Sequence, residues 1–584
     1  MPSVATLVGE YSLIVVEAAA VLVALLVTAL VPEFALAWRR RLALNFRRIG
    51  RNSKLSVLLT GVSVIVFRVA LWPLERVPEP SVHDEFSYLL AADTYASGRL
   101  ANPAHPMWVH FETFHVNQVP LYVSVYPPVQ GLILAAGKVI AGTPWAGVLL
   151  SCALMAAAVC WMLQAWLPPP WPLLGGMLVA IRLCTFSYWI NSYWGGAAAA
   201  LGGALILGSL PRAMRQPKFA HGLTLGLGII ILAGSRPYEG LAFCLPSAGV
   251  CAIWTLQKRG LDAQIWRRRI LMPFVVLVAI GVWAGAYYCW RTTGSAFLMP
   301  HQVNQQMYSI ARPFIWQKPN PAPTYHHNMM QTLYARYFIT YVSTRTGKGF
   351  VIQSFKKAAR FWLFFIGPAF CIPLIVIPFT FRGRRIRLLL WSCTAVLLAV
   401  LVEVYFMPHY AAPLTAAIYG VLLQSMRYLQ VWRVRGRRAG LLLAQAIPLI
   451  CVTMLVVRVL GEPLGFSFRT GWPSTWYYTA PGNLARARVL SYLRNSGDRH
   501  LVFVRYRKGH APDAEWVYND ADIDRAPVVW ARDMGASENR ELVQYFEHRQ
   551  IWLIEPDRAP LKLSVYSDVA DLAKPANPRT SERQ

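Results

Sequence analysis

Apolar runs long enough to cross a bilayer recur along this chain, with basic clusters set between many of them, and that alternation constrains the fold more than any single motif. A hydrocarbon core of roughly 30 Å asks for about 17 to 25 apolar residues wound as one helix. Lipid offers backbone amides no hydrogen-bond partner, so the helix must satisfy its own. Runs at 13–31, 55–72, 146–167, 173–190, 271–290, 361–379, 388–406, 411–429 and 441–460 fit this description, with shorter ones at 129–141, 197–210, 222–234 and 241–256. The predicted fold is therefore mainly α, a polytopic transmembrane helix bundle of about 11 to 13 spans.

A net charge of +29 would suggest a nucleic-acid partner in a soluble protein. Here the bases gather between the apolar runs: Arg39-Arg40-Arg41 with Arg47-Arg48, then Arg212, Arg215 and Lys218, then Lys258-Arg259 with Arg267-Arg268-Arg269. Further groups are Arg382, Arg384, Arg385 and Arg387, and Arg433, Arg435, Arg437 and Arg438. Cytoplasmic loops of membrane proteins carry this excess, so the charge reports orientation and anionic lipid, and no nucleic acid is implied. The nine cysteines all lie inside apolar segments without metal-ligand spacing and read as small core hydrophobes.

With each basic cluster on the cytoplasmic side, the chain divides into three parts. Residues 1–54 form an N-terminal anchor helix, retained because no small-residue cleavage site follows it, and a basic cytoplasmic linker. Residues 55–460 form the transmembrane domain, with long outer loops at 75–127 and 291–349. Residues 461–584 form a small external α/β domain. In it, 501–506 (LVFVRY), 528–530 and 551–554 (IWLI) read as short buried strands, and 539–549 as a helix with Ser537 as a cap. The run Asp520, Asp522, Asp524 lacks the glycine and distant glutamate of a calcium loop and reads as a solvated turn.

The first outer loop carries the chemistry. Acidic side chains are costly near lipid, so the pair Asp84-Glu85 at a membrane exit is a functional candidate. The following helix runs out at Ser97-Gly98. The run Asp84-Glu85-x-x-Tyr88, followed by Ser97-Gly98 and Pro103, resembles the first outer loop of the GT-C glycosyltransferases, most closely the branch holding protein mannosyltransferases and lipid A aminoarabinose transferases. The resemblance implies a GT-C-like bundle in a bacterial-type inner membrane with a periplasmic C-terminal domain. It also implies a polyprenyl-phosphate-linked sugar donor, a lipid, glycan or protein acceptor, inversion at the transferred sugar, and Asp84 as catalytic base with Glu85 beside it. The structural alternative is that Asp84 caps a helix starting near Phe86.

Further along the loop, His110-Phe111-Glu112, His115 and Tyr126-Pro127-Pro128 stand where the aminoarabinose transferases carry a Glu-Lys-Pro-Pro segment, with Val125-Tyr126 in place of the lysine. His110, Glu112 and His115, joined by His105, can also assemble a divalent metal site, since imidazole and carboxylate suit zinc or manganese. Arg236-Pro237-Tyr238-Glu239 lies at a second outer mouth, where an arginine can fork onto a phosphate or pair with Glu239 at i, i+3. Near a third mouth stand Glu403 and His409-Tyr410. Tyr88, Arg236, Tyr238, Glu239, His409 and Tyr410 are thus the substrate- and phosphate-binding candidates. The alternative function is a transporter or lipid flippase without covalent chemistry. Such proteins usually show internal repeats and mid-membrane polar residues; this chain shows no clear repeat, and its acidic residues sit at outer mouths.

Overall fold

The computed structural model describes residues 4–31, 36–257, 261–381, 383, 386–433, 436, 438–461, 463–464, 475–477 and 482–566. The basic residues Lys258-Arg259, Arg382, Arg384, Arg385, Arg435 and Arg437 lie outside them. Among the described residues, eight helices have the length and apolar character to cross a membrane: Ser12–Leu30, Ser53–Ala70, Pro144–Leu163, Ala197–Arg215, Pro237–Gln257, Leu261–Thr293, Gly347–Leu374 and Ala439–Gly461. Four more apolar helices are shorter: Pro128–Ala141, Trp171–Leu183, Phe219–Ala233 and Ile386–Val402. The predicted 11 to 13 spans thus become eight of full length. The expected span at 173–190 shows why, since its helix ends at Leu183 and the residues after it run as turns to Gly196.

The bundle closes around one continuous apolar core drawing on residues from Leu13 to Tyr477. Small residues let helices approach closely. A Cβ on Gly131 would stand 2.7 Å from the Ala91 Cβ, so glycine there lets the helix Pro128–Ala141 lie against the helix His83–Ala96. The latter stops where expected, with Gly98 in the left-handed region at φ 72°.

The first outer loop contains a three-stranded antiparallel sheet of β1 (Asn102–Pro103), β2 (Val116–Asn117) and β3 (Leu121–Ser124), in the order β1-β3-β2. The C-terminal domain holds a four-stranded sheet of β4 (His500–Val504), β5 (Val528–Arg532), β6 (Gln550–Glu555) and β7 (Lys562–Val565), in the order β5-β4-β6-β7. β4 runs parallel to β5 and β6, and β7, which hydropathy did not single out, adds an antiparallel edge. The predicted helix 539–549 forms as Ala536–Tyr545 with Gly535 at its N-cap; Ser537 lies inside the helix, its hydroxyl turned to Glu538.

Strand alternation divides this domain's core in two. Val502, Val504, Val528 and Trp530 face the helix Leu484–Asn495 through Val489 and Leu493. Leu501, Phe503, Val529 and Ala531 face the opposite way, onto Leu542 and Phe546 and also onto Phe86, Leu90, Phe111, Val116 and Tyr122 of the first outer loop. The loop that carries Asp84 therefore supplies part of the C-terminal domain's hydrophobic core.

Candidate active site

The helix His83–Ala96 begins at His83, with Val82 as its N-cap, so Asp84 occupies the first turn rather than the capping position expected for a helix starting near Phe86. Its charge is favoured there by the unpaired amides of the helix start. Asp84 Oδ1 lies 3.1 Å from His115 Nδ1, and the Tyr126 hydroxyl donates to the same oxygen. Tyr126 Oη also lies 2.7 Å from His115 Nδ1. With the Tyr126 hydroxyl donating to Asp84, the Nδ1–H tautomer of His115 satisfies both of its contacts. His83 Nε2 stands 3.5 Å from Asp84 Oδ2 and 3.4 Å from the Tyr337 hydroxyl. His115 reaches this position from a left-handed backbone conformation at φ 55°, uncommon for a residue with a side chain.

Burial would raise the Asp84 carboxyl, but the neighbouring His83 and the hydrogen bond and charge of His115 outweigh it and hold Asp84 well below the ordinary carboxylate range. Burial pulls His83 down to about 4, against the pull of Asp84. At neutral pH the pair is an ionised aspartate beside a neutral imidazole. His83, Asp84 and His115 each offer a ligand atom, all within 4.8 Å of one another, and this is the one such group among the described residues. Two imidazoles and a carboxylate suit a divalent transition metal.

The expected set His110, Glu112 and His115 does not come together. The short helix Trp108–Phe111 turns His110 towards the C-terminal domain, where burial lowers it to about 4 and Glu538 partly offsets the shift. Glu112 is buried under the second long outer loop, accepting from Tyr308 Oη at 2.8 Å with His326 Nδ1 at 3.3 Å. His105 contacts Asp524 at 3.1 Å. Only His115 joins the site, because β2 and β3 fold it back over the helix His83–Ala96.

Glu85, expected beside Asp84 as a second catalytic group, points away from the cluster. Its Oε2 accepts from Ser81 N at 2.9 Å, Ser81 Oγ at 3.1 Å and Val82 N at 3.3 Å. Its Oε1 accepts from Tyr193 N at 3.2 Å. Burial pushes this carboxyl above its usual range and the four bonds counter it. Glu85 thus ties the start of the Asp84 helix to the 184–196 connection.

Arg236, Glu239, Tyr88, His409 and Tyr410 form the adjoining wall. Arg236 Nη1 is 3.7 Å from Glu239 Oε1, and its guanidinium lies 4.3 Å from the centre of the Tyr410 ring. Burial and then Arg236 hold His409 well below its ordinary value, while Asp84 acts in the opposite sense, so His409 senses both the cation and the aspartate. Tyr188 fixes His409, with its hydroxyl 2.9 Å from Nδ1. Tyr88 stacks on Tyr126 at 4.3 Å and links the two clusters. Tyr238 leaves the group, donating to the Ala399 carbonyl at 3.1 Å.

His83, Tyr188 and Tyr337 are the site residues that pattern reasoning passed over, while Tyr126 was marked only by the Pro-Pro pair it precedes. His83 is adjacent to Asp84 in sequence, a signal that was available. Tyr188 and Tyr337 carry none until the chain folds.

No family model matches the chain, and no curated protein matches it. Solved structures give distant likenesses. ArnT from Cupriavidus metallidurans in the apo state aligns over 86% of this chain and 93% of its own, at 12% identity and a TM-score of 0.46. ArnT bound to undecaprenyl phosphate gives 87% and 94%, 13% identity and 0.43. The Archaeoglobus fulgidus oligosaccharyltransferase gives 86% and 69%, 12% and 0.42. Likenesses this distant say nothing about chemistry, which rests on the geometry above.

Proposed function

We propose that this chain is an integral-membrane glycosyltransferase moving a sugar from a polyprenyl-phosphate donor to an envelope acceptor on the external face of a bacterial-type inner membrane. The observation that carries it is a single wall where an ionised, half-buried aspartate stands near an arginine: Asp84 held by His115 and Tyr126, with His409 sensing both Asp84 and Arg236. A transfer of this kind needs a base for the acceptor and a cation for the departing phosphate, and the two ends of the wall supply one each.

Asp84 orients the acceptor hydroxyl. A carboxylate of such low proton affinity takes the proton late, as the new C–O bond forms and the hydroxyl becomes strongly acidic. Attack at the anomeric carbon breaks its bond to the phosphate oxygen, inverts that centre and releases polyprenyl phosphate. Arg236 stabilises the charge that gathers on the leaving phosphate, and the hydroxyls of Tyr88 and Tyr410 add donors beside it. Tyr126 and His115 hold the Asp84 carboxylate in one rotamer. A divalent cation at His83, Asp84 and His115 would supply Lewis-acid charge next to the reacting groups.

Native mass spectrometry of the purified protein beside Asp84→Asn tests this. The expected result is a polyprenyl-phosphate sugar retained more fully by the variant. If both forms bind one unrelated solute equally and neither carries such a lipid, the transporter reading replaces this one.

A further inference from the structure

Away from the residues of the Asp84 wall, the helices Ala197–Arg215, Phe219–Ala233, Pro237–Gln257 and Met272–Thr293, with the segment 261–271, line a partly open apolar cavity of about 220 Å³. It takes in Leu210 and Leu225 from the ends of the first two helices that adjoin Arg212, Arg215 and Lys218, so it lies in the cytoplasmic half of the bundle on the positive-inside orientation.

Two features distinguish it from an ordinary packing gap. Ser247 and Trp266 belong to its wall, and Ser247 Oγ and Trp266 Nε1 are buried with no hydrogen-bond partner among the described residues. A helical serine usually returns its hydroxyl to a carbonyl one turn back, and this one does not. Buried donors in so apolar a wall need an acceptor. The second feature is charge. Trp266, Ile270 and Leu271 of the wall flank Arg267-Arg268-Arg269, all exposed and held on a π-helical turn, Arg267–Leu271. Such turns are frequent at functional sites.

We infer that this cavity is a binding site for one anionic glycerophospholipid of the cytoplasmic leaflet. An acyl chain fills the apolar space, the ester carbonyls accept from Trp266 Nε1 and Ser247 Oγ, and the phosphate pairs with the arginine run. Trp266 directly precedes the arginine run, so a donor for the ester adjoins the cations for the phosphate. The helix Pro237–Gln257 lines this cavity through Cys244 to Cys251 and begins directly after Arg236, so occupancy here braces the middle of the helix adjoining the phosphate candidate.

The test uses the full chain, delipidated in detergent and titrated with phosphatidylglycerol or phosphatidylcholine of identical acyl chains, with retention read by native mass spectrometry. Each arginine near a headgroup is worth about fivefold in affinity, so the native protein prefers phosphatidylglycerol by at least that factor, and Arg267→Gln/Arg268→Gln/Arg269→Gln abolishes the preference. Ala248→Phe, which fills the cavity, reduces phosphatidylglycerol retention while circular dichroism stays unchanged. If that variant does not fold, Ser247→Ala takes its place and lowers retention by removing one donor. Equal retention of both lipids overturns the inference. So does full retention when the cavity is filled or the serine removed, which would mean a headgroup bound only at the surface. Displacement of phosphatidylglycerol by undecaprenyl phosphate at equal concentration overturns it too, assigning the cavity to a donor-type lipid.

Discussion

Glu85→Gln separates a positioning carboxylate from a catalytic one. In the native site both Glu85 oxygens are taken by donors: Oε2 by two Ser81 groups and Val82 N, Oε1 by Tyr193 N. Glutamine keeps one acceptor. With that oxygen left on the Ser81 and Val82 side, its NH2 meets the Tyr193 amide, donor against donor. A hydrogen bond to a charged group contributes about 1.5–3 kcal/mol, and the loss is partly offset because the neutral amide is cheaper to bury. A net local cost of about 1–2 kcal/mol follows, which speeds exchange of the Tyr193 amide about 5- to 30-fold. Hydrogen exchange resolved over 78–88 and 190–196 reads this directly and needs no substrate. Donor turnover, measured alongside, is expected to fall modestly and in step with the exchange. Unchanged exchange at Tyr193 with abolished turnover would refute the positioning role and return Glu85 to the chemistry.

Three further outcomes are expected. Tyr126→Phe keeps the ring stacked on Tyr88 but removes the hydroxyl that bonds Asp84 and His115, so initial rates should fall about tenfold with thermal stability nearly unchanged; an unaltered rate would remove Tyr126 from the site. Phe86→Ala removes a ring stacked on Tyr518 at 4.2 Å with Arg486 4.7 Å from its centre, at a cost of about 3–5 kcal/mol, and limited proteolysis should then release the C-terminal domain faster. Acid should loosen the same interface. His110 and His327 are lowered to about 4 by burial, against about 6.5 unfolded, so their contribution is complete above pH 6.5. Between pH 6.5 and 4 the unfolded state takes up protons first and stability is lost, on the order of 2–3 kcal/mol per histidine. Near-UV circular dichroism across that range checks the sign, and a flat profile would contradict it.

The membrane character, the C-terminal α/β domain and the candidacy of Asp84 could all be read from the residues. Each depends on local composition or on a short contiguous stretch. Apolar length specifies a bilayer span because water is absent there, and an acidic pair at a membrane exit is conspicuous because burying it is costly. Span boundaries were less legible: the run 173–190 is apolar apart from Arg182, Thr185 and Ser187, yet its helix ends at Leu183. The partners of Asp84 belong wholly to the tertiary structure. His115 and Tyr126 lie 31 and 42 residues from it and arrive through the left-handed turn at His115 and the β2–β3 pairing. The same fold carries His110 and Glu112 away, although they stand closer to His115 in sequence than Asp84 does. Glu85 beside Asp84 looked like its partner. Successive helical side chains diverge by about 100°, so neighbours in sequence face different surroundings, and only the packed fold determined which carboxylate met the imidazoles and which met backbone amides.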